Sequence, residues 1–202
     1  MAGSGRPWPV SARALPGDDE VISPFSATTR AVTIDAPAEA VWPWLVQMGW
    51  RRAGWYSYDS IDNDHKPSAD RIVPALQVDL QVGDFIPEGV DVGWTVTAVE
   101  PGRLLLLTSH GPMEGVEWLD RRDSSWLFVI EEVDRECSRL LERARTAMQT
   151  NGNTRAGRIA ARVAPPAIRC GDVVMAHRHM RGLKQRAEAD WAATVHAHEA
   201  AV

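Results

Sequence analysis

The sequence predicts an α+β domain in which an antiparallel sheet packs against one long C-terminal helix. Three patterns support this fold class. Apolar and polar residues alternate in several short segments between residues 28 and 148, as they do in half-buried strands. Tight turns such as Pro101-Gly102 join consecutive segments, which indicates hairpins. Apolar residues then recur at helical spacing from Val173 to Val195, with Arg and Glu on the opposite side.

The first two predicted elements are a strand and a helix. Residues 28–34 alternate, with Val32 and Ile34 on one face of the strand. Pro37 suits the first turn of a helix, whereas Pro43 removes a backbone hydrogen bond inside it and predicts a kink or a break. The apolar positions of this helix are Val41, Trp42, Leu45, Val46 and Met48.

A second, short helix is predicted between Gly54 and Asn63. Trp55, Tyr58, Asp59 and Asp62 are spaced i, i+3, i+4 and i+7 and therefore share one helical face. A face that combines two aromatic rings with two carboxylates is unusual for plain core, because buried carboxylates need partners.

The middle of the chain predicts the rest of the sheet. Residues 110–123 are expected to form an irregular loop between two hairpins. Trp126, Phe128 and Ile130 fall on one face of the strand that follows this loop. The strands are expected at residues 78–82, 85–87, 94–99, 103–108, 125–133 and 139–148.

The domain organisation follows from changes in composition. Residues 1–27 lack periodicity and predict a flexible N-terminal arm, followed by a single domain over residues 28–195 and a tail over 196–202. Residues 149–171 contain Asn-Gly-Asn and Pro-Pro and predict a linker with at most one short helix. Asp172 is the expected N-cap of the last helix.

Composition limits the class of protein. The chain has 202 residues, 45% hydrophobic and 24% charged, which fits one globular domain with additional terminal residues. Its net charge of −5 argues against a general affinity for nucleic acid. No apolar run is long enough for a membrane span, and no secretory signal is recognisable. Cys137 and Cys170 stand alone, which favours free thiols and a cytoplasmic protein.

Motifs for metals, cofactors and nucleophilic catalysis were not found. The acidic run that invites a metal interpretation lacks the turn glycine and closing Glu of a calcium loop, and it has no paired His spacing for zinc. No dinucleotide fingerprint, phosphate-binding glycine loop or Ser-His-Asp motif is present. We therefore predict no metal site and no cofactor. The acidic run comprises Asp59, Asp62, Asp64, His65 and Asp70.

Several short motifs resemble the SRPBCC superfamily, the START/Bet v1-like helix-grip proteins that include polyketide cyclase/dehydrase-like members. The resemblance covers roughly residues 28–190 and is closest to a bacterial branch of that superfamily. The matching motifs are TIDAP (33–37), AVW (40–42), VQMG (46–49), AGWYSYD (53–59), IDN (61–63), ADRI (69–72), VGD (82–84), VEPGR (99–103) and RGLKQRAE (181–188).

The resemblance implies a helix-grip fold, in which a curved antiparallel sheet wraps around the C-terminal helix and two short helices follow the first strand. A cavity is expected between the sheet and the long helix. For each aromatic or methionine, plain core packing is the alternative, and for the aspartates a solvated helix face. The candidate ligand-binding residues are Trp55, Tyr58, Asp59, Asp62, Trp126, Phe128, Arg145, Met180 and Leu183.

Three functional hypotheses remain open from the sequence. The first is binding of a small hydrophobic or aromatic molecule in an internal cavity. The second is a polyketide cyclase/dehydrase-like enzyme, in which a positioned acid or base such as Asp59, Asp62 or His110 moves a proton. The third is an interaction protein whose cavity has collapsed. A perturbed carboxylate or histidine in the cavity favours the second hypothesis over simple binding.

Overall fold

Six antiparallel strands form one sheet, and a long helix packs across it in this computed structural model, which describes residues 13–112, 119–150 and 152–200. The strand order is β1-β6-β5-β4-β3-β2. The predicted α+β class with a curved antiparallel sheet and a long C-terminal helix is confirmed. The strands are β1 (Ser26–Ile34), β2 (Phe85–Pro87), β3 (Gly93–Glu100), β4 (Leu104–Pro112), β5 (Leu119–Glu132) and β6 (Ser138–Thr150).

The helices are α1 (Ala38–Gln47), α2 (Asp59–Asp62) and α3 (Arg155–Glu199), with a short 3-10 helix at Pro74–Leu76. Two short helices therefore follow the first strand, as predicted. Helix α1 continues through Pro43, so this proline does not break it. Within the described ranges, no helix combines the length and apolarity needed to cross a membrane.

The inner face of the sheet, which we define as the face toward α3, forms the main core. Register fixes which side chains share this face, because Trp126 pairs with Ala144 and Phe128 pairs with Glu142. Phe128 and Leu183 are fully buried at the contact between sheet and helix. The core continues through residues of every layer: Ile34, Val41, Trp44, Leu45, Leu105, Leu107, Ile130, Leu140, Met180 and Ala187.

The outer face of the sheet is covered by residues 13–25, part of the predicted flexible arm. Leu15 is buried against Leu106 and three other sheet leucines, and Val21 is also buried. The Asp18 carboxylate lies 2.6 Å from Arg143 Nη1 and 3.4 Å from Arg145 Nη1. This part of the arm is therefore packed against the sheet, while residues 1–12 lie outside the described residues.

Helix α3 begins eighteen residues earlier than the sequence suggests, and the linker predicted over 149–171 is wrong from Arg155 onward. The Thr154 hydroxyl accepts a hydrogen bond from the Gly157 N–H at 2.9 Å, so Thr154 takes the capping role predicted for Asp172. The next turns are rich in Ala and Arg, which are strong helix formers. Pro165 and Pro166 have no backbone N–H, so two carbonyl groups of the preceding turn receive no helical hydrogen bond. Water can solvate these carbonyls because this stretch of the helix is exposed.

Two sheet predictions also need correction. Residues 78–82 alternate in sequence but form no strand. The loop predicted over 110–123 is instead the end of β4 and the start of β5, with residues 113–118 outside the described part of the chain. Alternation within a few residues cannot tell a strand from an extended loop, because only a partner strand makes the difference.

At Gly182, α3 lies very close to the segment after α1. A Cβ atom at this position would lie 2.1 Å from the Tyr56 carbonyl oxygen. The helix therefore packs directly on the backbone of Tyr56, a contact that only glycine permits.

We predict that Gly182→Ala destabilises the fold by about 2 kcal/mol or more, since backbone must shift to make room for the methyl group. Gly171→Ala in the same helix is the matched control, because nothing lies within 4 Å of that position. Alanine there should be neutral or stabilise by about 0.5–1 kcal/mol. Urea unfolding midpoints measure both effects, and equal midpoints for the two variants would contradict the prediction.

Candidate functional site

A cavity of about 330 Å³ lies between the inner face of the sheet and the first half of α3. This volume is at the lower end of the range of about 300–1,000 Å³ that is typical of small-molecule sites. Strands β1, β5 and β6 form the floor, and α2 with the preceding loop closes one side. The wall comprises Arg30, Trp55, Ser57, Asp62, Glu88, Trp94, Arg122, Ser124, Ser125, Trp126, Glu142, Ala144, Thr146, Met148, Ile168, Asp172, Met175, Ala176 and His179.

Trp126 is the centre of an aromatic cluster on this wall. Its ring centroid lies 5.5 Å from that of Trp55, 5.4 Å from that of Trp94 and 5.3 Å from that of His179. The three tryptophans come from the loop before α2, from β3 and from β5. They give the cavity a large aromatic surface that suits a flat apolar molecule.

Glu142 is buried at the floor of the cavity, with 1% of its surface exposed. The Trp126 indole N–H donates to Glu142 Oε1 at 2.8 Å, and Oε2 has no hydrogen-bond partner among the described residues. Burial raises the pKa of Glu142 to about 7, against the opposing effects of the Trp126 hydrogen bond and the positive charge of Arg30. The carboxyl group can therefore hold or release a proton close to neutral pH.

His179 reaches the cavity from α3 and is also buried. Its Nδ1 atom lies 2.5 Å from the Trp55 carbonyl oxygen, and because a carbonyl only accepts, Nδ1 carries the proton. Nε2 is then an acceptor, and the described residues offer it no donor. Burial lowers the pKa of His179 to about 4, so the ring is neutral at physiological pH.

Asp62 places a second carboxylate on the wall. Burial, together with the smaller effect of the neighbouring Asp59 charge, raises the pKa of Asp62 to about 6. Asp62 Oδ1 is buried without a partner in the described part of the chain. Asp59 itself accepts a hydrogen bond from the Ser68 hydroxyl at 2.5 Å and does not line the cavity.

Charged groups of both signs complete the site. Arg122 Nη2 pairs with Glu88 at 3.0 Å, while Arg122 Nε has no described acceptor. The Trp94 indole N–H is likewise buried without a described partner. Burial raises the pKa of Asp172, and the charges of Arg30 and Arg122 oppose that shift. The wall thus offers two unused donors beside three unused acceptors.

The structure brings only three of the predicted ligand-binding residues to the cavity wall: Trp55, Asp62 and Trp126. Phe128, Met180 and Leu183 are buried in the core beside it, and Tyr58 is exposed with Arg178 near its ring. Arg145 faces the outer side of the sheet, where it contacts Asp18. Whether any of these residues binds a ligand stays a prediction.

His110, the loop histidine considered as a general base, lies on β4 at the outer face. Its Nδ1 is 3.1 Å from Asp123 and its Nε2 is 3.6 Å from Glu20. These contacts connect the N-terminal segment to the sheet. The histidine therefore has no access to the cavity.

Sequence reasoning missed Glu142 and His179, although a signal for each was present. Glu142 alternates with Leu140 and Ala144, so strand periodicity places a carboxylate on the apolar face of β6. His179 belongs to the apolar stripe of α3, three residues after Ala176 and four before Leu183. A titratable residue on an apolar face is the pattern that identifies both.

No protein-family model and no curated protein match the chain. Solved structures with a similar arrangement include a protein from Mesorhizobium loti, 16% identical over 80% of this chain and 96% of that one, with a TM-score of 0.45. A Polyketide_cyc-like protein from Corynebacterium glutamicum is 11% identical, with 78% and 88% of the two chains covered and a TM-score of 0.43.

A third similar structure is the di-domain ARO/CYC protein BexL from the BE-7585A biosynthetic pathway, at 15% identity and a TM-score of 0.42. The match covers 81% of this chain but only 46% of BexL, so the chain spans about half the length of that protein. All three similar structures are less than 25% identical to this chain and have TM-scores below 0.5.

We predict that Glu142→Gln makes the protein more stable at about pH 8 by on the order of 3 kcal/mol, and changes little at about pH 4.5. The folded state raises the pKa of Glu142, so this residue costs no stability below the pKa of the unfolded chain. The cost grows as pH rises from about 4.5 to about 7 and is constant above that. Glutamine is neutral at every pH, so the variant does not have this cost in stability.

Urea unfolding at the two pH values measures this difference, with Glu132→Gln at an exposed position of β5 as the control. The control should follow the wild-type pH dependence. A Glu142→Gln variant that tracks the wild type at both pH values would show that the carboxyl group is not destabilised by burial.

Proposed function

We propose that this protein binds a small, flat, largely apolar molecule that carries hydrogen-bonding groups, in the cavity between the sheet and α3. One observation carries the proposal: five side chains of the cavity wall each hold a buried polar atom with no partner in the described residues. These atoms are Asp62 Oδ1, Trp94 Nε1, Arg122 Nε, Glu142 Oε2 and His179 Nε2.

Energetics support a polar contact with a ligand. Leaving a buried polar group unsatisfied costs about 1–3 kcal/mol, and native proteins leave few such groups. Among the described residues, five of the eight such side-chain atoms converge on this one cavity, and the other three belong to Trp44, Arg52 and Arg145. A molecule or waters that satisfy them would recover part of this cost, and only a molecule with an apolar body would also cover the tryptophans.

The individual atoms indicate the chemistry of the ligand. His179 Nε2 can only accept, so it favours a hydroxyl or N–H group. Trp94 Nε1 and Arg122 Nε can only donate, so they favour a carbonyl or other acceptor. Glu142 Oε2 can do either, depending on its protonation. A small hydroxylated aromatic ketone has this combination of groups.

The other hypotheses fare differently. A cavity of about 330 Å³ argues against the collapsed-cavity hypothesis. The second candidate is an enzyme, and it is favoured by the near-neutral pKa of Glu142. The ionised Glu142 carboxylate would accept a proton from the carbon beside a bound carbonyl, and the electron pair would move onto the carbonyl oxygen. The cytoplasmic location and the absence of nucleic-acid binding stay predictions.

We predict that 2-naphthol binds about tenfold more tightly than 2-methoxynaphthalene, because only the hydroxyl can donate to His179 Nε2. His179→Phe keeps the ring but removes the acceptor and should abolish this difference. Ala176→Leu fills the cavity and should weaken both probes, whereas Ala193→Leu at an exposed position of the same helix should not.

Tryptophan fluorescence and calorimetry measure the binding, with thermal unfolding as the check on folding of each variant. Equal affinity for the two naphthalenes, or unchanged binding by Ala176→Leu, would contradict the proposed site. A wider thermal-shift panel of fatty acids, polyketides and aromatic metabolites then narrows the natural ligand.

For the enzyme candidate, we predict that the protein accelerates exchange of the α-protons of 2-tetralone in D₂O, with a rate that rises through about pH 7 as Glu142 ionises. Glu142→Gln should lower the rate by at least about a hundredfold, because a positioned base contributes about 10²–10⁴. NMR follows the exchange, and Glu132→Gln serves as control. If the wild type exchanges the protons no faster than Glu142→Gln does, the enzyme candidate is contradicted and binding alone stays as the proposed function.

A further inference from the structure

The first half of α3 carries an exposed apolar stripe that faces away from the cavity. Ile159 and Val163 are 52% and 58% exposed, and Val173 and Val174 are 50% and 53% exposed. Cys170 lies between them and is also exposed. At 100° per residue, Ile159, Val163 and Val174 fall within roughly 60° of one another. Ile168, Asp172 and Met175, which line the cavity, occupy the opposite side.

Four arginines flank this stripe. Arg155, Arg158, Arg162 and Arg169 are all exposed, and the last three lie within roughly 40° on one side of the apolar residues. No Asp or Glu occurs between residues 155 and 171, so this stretch carries four positive charges in a chain whose net charge is −5. Among the described residues, none of the four arginines has a carboxylate within ion-pair distance. We call the stripe with these arginines the basic apolar face of α3.

We propose that the basic apolar face of α3 docks on an anionic lipid surface. An amphipathic helix that combines aliphatic side chains with flanking arginines has the composition of helices that lie in the membrane interface. The aliphatic side chains would enter the boundary between headgroups and acyl chains. The arginines would pair with lipid phosphates, to which their guanidinium groups are well matched.

Two other occupants fit the same surface less well. A second copy of the chain would use the same patch on both subunits and would bring the four-arginine stretch against itself. Nucleic acid would satisfy the arginines but would leave the branched aliphatic side chains without an apolar partner. The anionic lipid surface satisfies both the charge and the exposed apolar area.

The basic apolar face lies on the same turns of α3 as part of the cavity wall, which links docking to ligand binding. The same helical turns carry the basic apolar face on one side and Ile168, Asp172 and Met175 of the cavity wall on the other. Docking would bring the cavity close to a reservoir of apolar molecules. This link to the ligand rests on the proposed function, whereas docking itself does not depend on it.

The test is sedimentation of the full chain with vesicles of phosphatidylcholine containing phosphatidylglycerol, compared with pure phosphatidylcholine. We expect binding to the anionic vesicles only, weakening as salt is added. Arg158→Gln with Arg162→Gln should weaken vesicle binding roughly 25-fold, at about fivefold for each arginine near the surface. Ile159→Ser with Val163→Ser should weaken it by at least about tenfold.

Matched controls are Arg71→Gln with Arg135→Gln, and Val82→Ser with Val133→Ser, which remove exposed charge or exposed aliphatic surface elsewhere. These should bind as the wild type does, and circular dichroism confirms helix content for each variant. The proposal is overturned if the wild type does not bind anionic vesicles. It is equally overturned if both pairs of α3 variants bind unchanged, or if the face instead mediates self-association or binding to a DNA oligonucleotide without vesicle binding.

Discussion

The close contact between α3 and the segment after α1 sets the geometry of the rest of the molecule. Gly182 rests on the Tyr56 carbonyl, and one turn earlier His179 donates its Nδ1 proton to the Trp55 carbonyl. These two contacts fix the height of the helix above the sheet. They also orient the Trp55 indole against Trp126 and leave the second nitrogen of His179 directed to the cavity. The cavity is thus the space between the sheet and α3 that remains when the helix packs on the backbone of Trp55 and Tyr56.

The polarity of the cavity follows from a competition between burial and charge. Glu142 is separated from water and receives one hydrogen bond, which is too little to keep its carboxylate fully ionised at neutral pH. His179 experiences the same burial with the opposite consequence, since burial disfavours its charged form. A carboxyl group that is partly protonated at neutral pH and a histidine that stays neutral therefore lie around one tryptophan ring. This arrangement suits recognition of a neutral molecule, and it is also a starting point for proton transfer.

Hydrophobic periodicity predicts the helices and strands that have one buried face. Two kinds of prediction fail: one that relies on prolines to end a helix, and one for a side chain whose contact is distant in the sequence. The apolar stripe from Val173 to Val195 predicts α3, and its members Met180, Leu183 and Ala187 are buried in the core, whereas Val173 is exposed. Pro165 and Pro166 suggested a linker, yet they cost only two backbone hydrogen bonds on an exposed stretch between strong helix formers. Strand alternation correctly places Trp126 on the inner face. Trp55 and Asp62 also reach the cavity, but the helical face predicted for them is wrong, because α2 comprises only Asp59–Asp62 and Trp55 lies in the loop before it. Arg145 was misplaced because its partner, Asp18, lies far away in the chain.

The alternation along β6 has a consequence for evolution. Glu142, Ala144, Thr146 and Met148 line the cavity, whereas Leu141, Arg143 and Arg145 hold the N-terminal segment on the outer face. Substitutions at the inner positions can change what the cavity accepts without disturbing the anchor on the opposite side. Drift in ligand preference and retention of the fold therefore fall on separate, interleaved sets of residues. A lineage built on this strand can diversify its chemistry while selection for folding acts one residue away.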